Sequence, residues 1–400
     1  MMDRYKKLPL FIKIIAAAIL GAVIGVFIGK DAAQLKPVSD LILQLLRLLA
    51  SPLIFLSIVQ SILRVEVGGK SIGKLAWVLM SNTVIAIFIG LALANLVQPG
   101  RNFHFPRPTG IVDKRPFDVM TDLLGRIPKD FFSPFANNDL IGIIVIGVAV
   151  SIGLRALRSP ETEERIRSIT SFVQLGLQLV LRLLHWVLEI VPLAVLAVVA
   201  RVVGTTGFQP LIQMSWFVGT VILGLSLMFC VYLIRLRLSS WVRPTVFLKG
   251  AFDAFTLAFS TASSAATLPV TYECAVEKIG VREESASLGI MVGGTFNHDG
   301  TALYEAMAAL FVAQAIGQTL PLANQLVLVV MAIIASVGAA GIPEAGLVTM
   351  LAVFSALRLP IEYVPLLLPL DWILDRFRTM INVAGDMAAT CIIDGKHRSA

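Results

Sequence analysis

The sequence predicts an all-α, polytopic membrane protein, and three observations carry that prediction. Of 400 residues, 57% are hydrophobic and only 15% charged, with a mean hydropathy of +0.84. A soluble core cannot absorb that much apolar sequence. Apolar runs of about 20 residues, the span of a bilayer, recur near 9–29, 39–63, 75–98, 139–157, 172–201 and 211–237. Basic residues then gather at the ends of alternate runs, as membrane topology requires.

The first run, Pro9 to Gly29, is too long for a signal-peptide core and has no clear cleavage site, so it reads as a helix that stays in the membrane. Lys6, Lys7 and Lys13 flank its start. Arg64, Lys70 and Lys74 follow the second run; Arg155, Arg158, Arg165 and Arg167 follow the fourth; Arg235, Arg237, Arg243 and Lys249 follow the sixth. These flanks place the N-terminus and the loops beside them in the cytoplasm. Residues 99–138, Pro-rich and carrying Arg101, Arg107, Lys114 and Arg115, then lie outside; long loops obey the rule poorly. The net charge of +7 belongs to these short flanks and implies no nucleic-acid partner. Cys230, Cys274 and Cys391 stand far apart in apolar contexts and read as inert core residues, neither zinc ligands nor a disulfide framework.

After residue 240 the pattern changes to short apolar pieces with small polar interruptions. "LAFSTASSAATLPVTY" has a Ser/Thr/Ala tip ending in Pro269, and "IIASVGAAGIPEAGLVTM" a Gly-rich tip ending in Pro343. Each tip lies between two short apolar arms and reads as a re-entrant hairpin. Non-helical backbone at membrane depth survives only where protein buries it or a watery cavity solvates it. Between the hairpins, "FNHDGTALYEA" breaks an apolar helix with Asn297, His298, Asp299 and Gly300, and Glu305 follows a turn later. Paired interruptions and a broken helix point to the midplane site of a secondary transporter. Two Gly/Pro-kinked helices in a channel or receptor are the alternative.

The last segment, "LLLPLDWILDRFRTMINVAGDMAATCII", carries three Asp and two Arg in an otherwise apolar helix. At 3.6 residues per turn, Asp371, Asp375, Arg378, Asn382 and Asp386 fall within an arc of roughly 80°, with Thr379 at its edge and Arg376 elsewhere. Such a stripe cannot face lipid. One Arg cannot neutralise three carboxylates, so the surplus negative charge asks for cations, and a buried guanidinium suits a carboxylate ligand. Carboxylates, Asn and loosened carbonyls match the all-oxygen coordination of hard cations. Na+ is the plausible ion for a transporter, although this chemistry does not separate it from K+ or H+.

"SSAATLPVT", "NHDGTALYEA", "AAGIPEAGLVTM" and "LDWILDRFRTMINVAGD" resemble the dicarboxylate/amino acid:cation symporters, the glutamate and aspartate transporters. The likeness runs from the first span to near the C-terminus and is most specific in the last 150 or so residues. It implies a homotrimer in the cell membrane, each subunit with eight spans, two re-entrant hairpins and inverted repeats. Residues 1–74 and 99–209 would form a scaffold. Residues 75–98 and 210–400 would form a transport domain that slides as an elevator.

The resemblance also implies roles. Arg378 would hold the substrate side-chain carboxylate and Asp375 its ammonium group, with Thr301, Thr379 and Asn382 hydrogen-bonded to it. Ser263 and Ser264 at the first hairpin tip, and the backbone around Ile342 and Gly346 at the second, would close over it. Gly293, Asn297, Asn382 and Asp386 would form one sodium site, and Asn297 with Asp299 another. Carbonyls near Thr295, His298, Ser336 and Val337 would form a third. Relatives carrying neutral amino acids lack the Arg at 378, and those carrying C4-dicarboxylates lack the Asp at 375, so the implied substrate is L-glutamate or L-aspartate.

Two features resemble the animal excitatory amino acid transporters. Arg376 on the last helix pairs with Ala262 at the first tip, and Glu305 stands where that branch has a glutamate implicated in proton co-transport. An apolar site favours a neutral carboxyl, which suits H+ carriage by Glu305; K+ counter-transport would follow the same resemblance. Three features depart from the family pattern. His298 replaces the usual Met. In "LMSNTV", Leu79 replaces a Tyr and Asn82 a Thr, although Asn82 and Thr83 still offer oxygens to the site of Asp299. Glu344 adds a carboxylate to the second tip. A paired Asp299–Asp386 protease is disfavoured, because its Gly-x-Gly-Asp pattern is absent. A neutral or C4-dicarboxylate symporter of the same family, or a substrate-gated anion channel, is the rival class.

Overall fold

The structure, a computed structural model, describes residues 10–64, 70–101, 103, 128–338, 345–357 and 359–396. It is helical throughout, with no strand among the described residues. The six apolar runs become α1 (Leu10–Ile28), α2 (Lys36–Arg64), α3 (Lys70–Val97), α4 (Leu140–Ala156), α5 (Glu163–Thr206) and α6 (Gln209–Ser239), with a 3-10 segment, Gly29–Leu35, between the first two. Among the described residues, four helical stretches are long and apolar enough to cross a membrane: Ile12–Leu63, Ile72–Val97, Glu163–Thr206 and Met214–Ser239. The fifth helix starts well before the apolar run that predicts it. Its first turns, "EERIRSIT", are charged and, Ile166 apart, largely exposed, so hydropathy misses a helix that continues into water.

Long α5 acts as a strut against which α1 and α2 pack, and α4 packs on α2. Gly21 and Gly25 let α1 approach closely: a Cβ at either would come within 2.5 Å of a carbonyl oxygen of Leu196 or Ala200 on α5. Small residues permit such backbone contact where lipid supplies no hydrophobic drive. Phe27, Trp77, Phe172 and Trp216 stand exposed on these helices, as side chains do when hydrocarbon covers them.

Beyond α6 the elements shorten. A turn of helix, Pro244–Gly250, leads into α7 (Phe252–Thr261) and α8 (Ser264–Glu273), the latter prolonged by π-type turns over Cys274–Ile279. Ten residues make about 15 Å of helix, half the hydrocarbon thickness of ~30 Å. The joint between them is Ala262, held at φ 51°, a left-handed conformation costing about 1–2 kcal/mol for an L-residue with a side chain. Ser263 then caps α8, its hydroxyl accepting from the Ala266 amide at 3.2 Å.

Next come α9 (Glu283–Phe296) and α10 (Asp299–Ala315), two pieces of one path, then α11 (Leu322–Gly338), α12 (Ala345–Ala356) and α13 (Val364–Asp394). α11 packs on α12, and α7 and α8 lie against α13. Around α13 gather α3, α6, α9 and α10; α10 is buried almost end to end. The joint between α11 and α12, which includes Ile342, Pro343 and Glu344, lies outside the described residues, as do Lys6, Lys7, Arg107, Lys114 and Arg115. All three cysteines are free. Cys274 and Cys391 are buried as expected, but Cys230 is exposed on α6, on an outward side of an apolar helix rather than in the core.

Candidate functional site

The site begins where α9 stops. Asn297 (φ −96°, ψ 90°) and His298 (φ −118°, ψ 52°) leave helical geometry for two residues before α10 starts. A break of this kind strands the last carbonyls of one helix and the first amides of the next. One of those amides is satisfied from across the site: Gly300 N–H donates to Asn382 Oδ1 at 2.8 Å. Glycine is required at 300 because α13 comes so near; a Cβ there would lie 2.7 Å from the Arg378 carbonyl oxygen. The Asn382 amide nitrogen lies 3.5 Å from Thr301 Oγ1, and the Asn382 carbonyl accepts from Asn297 Nδ2 at 3.2 Å. α13 thus splints the break.

The polar stripe of α13 faces inward as its periodicity predicts. Asp371, Asp375, Arg378, Thr379, Asn382 and Asp386 are all buried. Arg378 Nη1 lies 2.9 Å from Asp371 Oδ1, and Nη2 donates to Asp375 Oδ1 at 2.7 Å. The guanidinium also sits over the Tyr304 ring, 4.2 Å from its centroid, a favourable cation–π placement. Gly346 opens the other side; a Cβ there would be 3.1 Å from Nη1. The Arg378 Nε–H remains without an acceptor among the described residues. A buried cation with donor capacity to spare is suited to gripping an anion.

Asp386 is different. It has no ion pair among the described residues, and its Oδ1 and that of Asn297 are buried without donors. Gly293 packs directly on it, leaving 2.8 Å between Asp386 Oδ1 and the place a Cβ would take. Buried acceptors without donors are costly, and oxygens presented this way fit a hard cation. The predicted residues Gly293, Asn297, Asn382 and Asp386 are therefore brought together.

Asp299 is fully buried and doubly bonded. Thr83 Oγ1 donates to its Oδ1 at 2.6 Å, and Tyr232 Oη donates to its Oδ2 at 2.6 Å. Thr83 also donates to the Leu79 carbonyl at 3.2 Å, and Asn82 Oδ1 accepts from Arg235 of α6. Leu79, Asn82, Thr83 and Asp299 thus do meet. Tyr232 and Arg235 join them, and sequence reasoning placed neither there.

Glu305 is buried nearly two turns into α10, with Oε1 accepting from the Thr349 hydroxyl of α12 and Oε2 without a partner among the described residues. His298 is buried beside the backbone of Ser336 in α11, which brings two members of the predicted third ion site together. Val337 lies in the last turn of α11; half-buried Thr295 lies on α9, its hydroxyl donating to Met291 O at 2.9 Å. Ser263 and Ser264 are buried at the α7–α8 joint. Arg376 turns away from the stripe, and its Nη1 donates to the carbonyls of Phe259 and Ser260 at 2.8 and 2.7 Å, tying α13 to the end of α7. Ile342 lies outside the described residues.

A family model described as "Sodium:dicarboxylate symporter family" matches residues 10–396. The chain belongs to that family. This symporter-family chain is 31% identical over 407 residues to the "Proton/glutamate-aspartate symporter" of Bacillus subtilis, covering 99% of this chain and 96% of the relative. It is 30% identical to that organism's "Proton/sodium-glutamate symport protein", covering 97% and 92%. It is 27% identical to a "C4-dicarboxylate transport protein" of Xanthomonas campestris, covering 96% and 87%. The symporter is therefore an integral membrane transporter and not an enzyme, and the buried constellation around α13 is the place to look for its cargo.

Proposed function

We propose that this symporter drives uptake of L-glutamate or L-aspartate with Na+, with H+ carried by Glu305. The single observation that carries the substrate is the buried Arg378 with Asp375 one turn before it, bonded at 2.7 Å. A guanidinium for the substrate side-chain carboxylate and a carboxylate for its ammonium group together favour an acidic amino acid. Overall identity does not separate the substrates, since relatives with glutamate and C4-dicarboxylate names match almost equally. A C4-dicarboxylate has no ammonium group to offer Asp375. The donor-free oxygens of Asn297 and Asp386 support Na+ as coupling ion.

The finer architecture follows the same reading: eight spans, α7–α8 and α11–α12 as re-entrant hairpins, an elevator, and a homotrimer in the cell membrane with a cytoplasmic N-terminus. The packing of α1 and α2 with α5, and of α4 on α2, supports the division into scaffold and transport domain. K+ as counter-ion rests on the likeness of Glu305 and Arg376 to the animal branch.

The test is uptake into proteoliposomes with an inward Na+ gradient and a panel of radiolabelled L-glutamate, L-aspartate, succinate and L-alanine. Concentrative uptake of the two acidic amino acids, well above succinate and alanine, is expected; succinate uptake that exceeds both overturns the assignment. For the proton, wild-type uptake is expected to rise as the outer solution is acidified, and Glu305→Gln to flatten that dependence. A pH profile that the substitution leaves unchanged removes Glu305 from the coupling.

A further inference from the structure

The two predicted ion positions that share Asn297 differ in what their oxygens are doing. Around Asp386, its own Oδ1 and that of Asn297 have no donor among the described residues, although the Asn297 side chain bonds to the carboxylate. Around Asp299 each side-chain oxygen already has one: Oδ1 takes the Thr83 hydroxyl, Oδ2 the Tyr232 hydroxyl, and Asn82 Oδ1 the Arg235 guanidinium. A sodium ion entering there would have to share oxygens that already accept, beside a guanidinium whose charge repels it. The charge is balanced as well, because Arg235 and Asp299 interact electrostatically across the same spot. The oxygen set at Asp299 therefore does not fit a bound cation as the set at Asp386 does.

Arg235 is placed for this role. It lies near the end of α6, where its sequence position groups it with Arg237, Arg243 and Lys249 as a basic flank. Arg237 is exposed there. Arg235 instead turns inward, half-buried, to reach Asn82 and the Val78 carbonyl at 3.5 Å on α3. A guanidinium offers only donors and does not deprotonate, so the positive charge is permanent.

We propose that Arg235 is a tethered cation that takes the place of a sodium ion at the Asn82–Thr83–Asp299 position. This chain therefore binds one sodium fewer than it does without that arginine. The proposal rests on the Na+-symport reading above, and the experiment separates the two. The purified protein in detergent is titrated with NaCl at constant ionic strength with choline, and the slope of thermal stabilisation against log[Na+] counts the ions bound by the folded state. Proteoliposome equilibria at set Na+ gradients count the ions moved per substrate.

Arg235→Met is expected to raise both counts by one, and Arg235→Lys, which keeps a tethered charge, to leave both at the wild-type value. Equal counts in wild type and Arg235→Met overturn the proposal. Should Arg235→Met not fold, Asp299→Asn in the otherwise unchanged protein decides: an unaltered sodium slope supports the tethered cation, and a slope lower by one overturns it. If the wild type shows no sodium dependence at all, the sodium-symport reading fails. The Arg235 proposal then stands or falls on whether Arg235→Met gains a slope of one.

Discussion

Arg378→Gln is expected to abolish Na+-driven uptake of L-glutamate and L-aspartate, lowering the rate at fixed substrate by about 100-fold or more. The guanidinium is buried against two carboxylates at 2.9 and 2.7 Å, and Gln cannot replace its charge or its fork of donors. Breaking a buried pair costs about 3–5 kcal/mol, because the surviving charge stays buried and unpaired, and each ~1.4 kcal/mol is tenfold. Here two carboxylates, Asp371 and Asp375, survive. Stability falls too, and a second substitution separates the effects. Adding Asp371→Asn to Arg378→Gln removes one unpaired charge, so it is expected to recover part of the lost thermal stability but none of the uptake. Uptake by Arg378→Gln within twofold of wild type, at matched protein in the vesicles, sinks the assignment.

Asp386→Asn is expected to raise the Na+ concentration for half-maximal uptake by about tenfold or more. Interactions with a charged group contribute roughly 1.5–3 kcal/mol, and Asp386 is the buried carboxylate of α13 without an arginine beside it. The substitution keeps the shape and one oxygen, so Gly293 still packs against it, but the charge that favours a hard cation is gone. Substrate affinity measured at saturating Na+ is expected to change far less than the sodium requirement. An unchanged sodium requirement places the ion elsewhere.

Much of this was legible in the sequence because membrane burial leaves simple marks. The apolar runs at 9–29, 75–98 and 211–237 lie within α1, α3 and α6 give or take a few residues, since a bilayer admits few other conformations. The α13 stripe was legible because a helix has one period, and charge on that period must point inward. The start of α5 was not, since its charged turns leave the bilayer while remaining helical. Tyr232 and Arg235 were not legible either. Tyr232 meets Asp299 from 67 positions away, and a lone Tyr in an apolar run carries no spacing that announces a partner. Arg235 carried a misleading signal, since its position fits a topology rule that its side chain does not follow. The likeness to the animal branch rests on Ala262, Glu305 and Arg376, while the relatives described above are bacterial. Glu305 and Arg376 lie in α10 and α13 and Ala262 at the α7–α8 joint, and three positions weigh little against whole-chain identity.

The Asn382 side chain takes the Gly300 amide and approaches Thr301, while its main-chain carbonyl receives Asn297. Asn297 belongs to the proposed ion position and Thr301 to the proposed substrate position, so a single residue of α13 borders both. Filling either position stiffens that residue and spares the other ligand part of the ordering cost. Linkage then makes the benefit mutual: sodium tightens the amino acid by the same factor as the amino acid tightens sodium. The thermodynamic obligation of a symporter, that neither cargo travels well alone, reduces here to one asparagine with two neighbours.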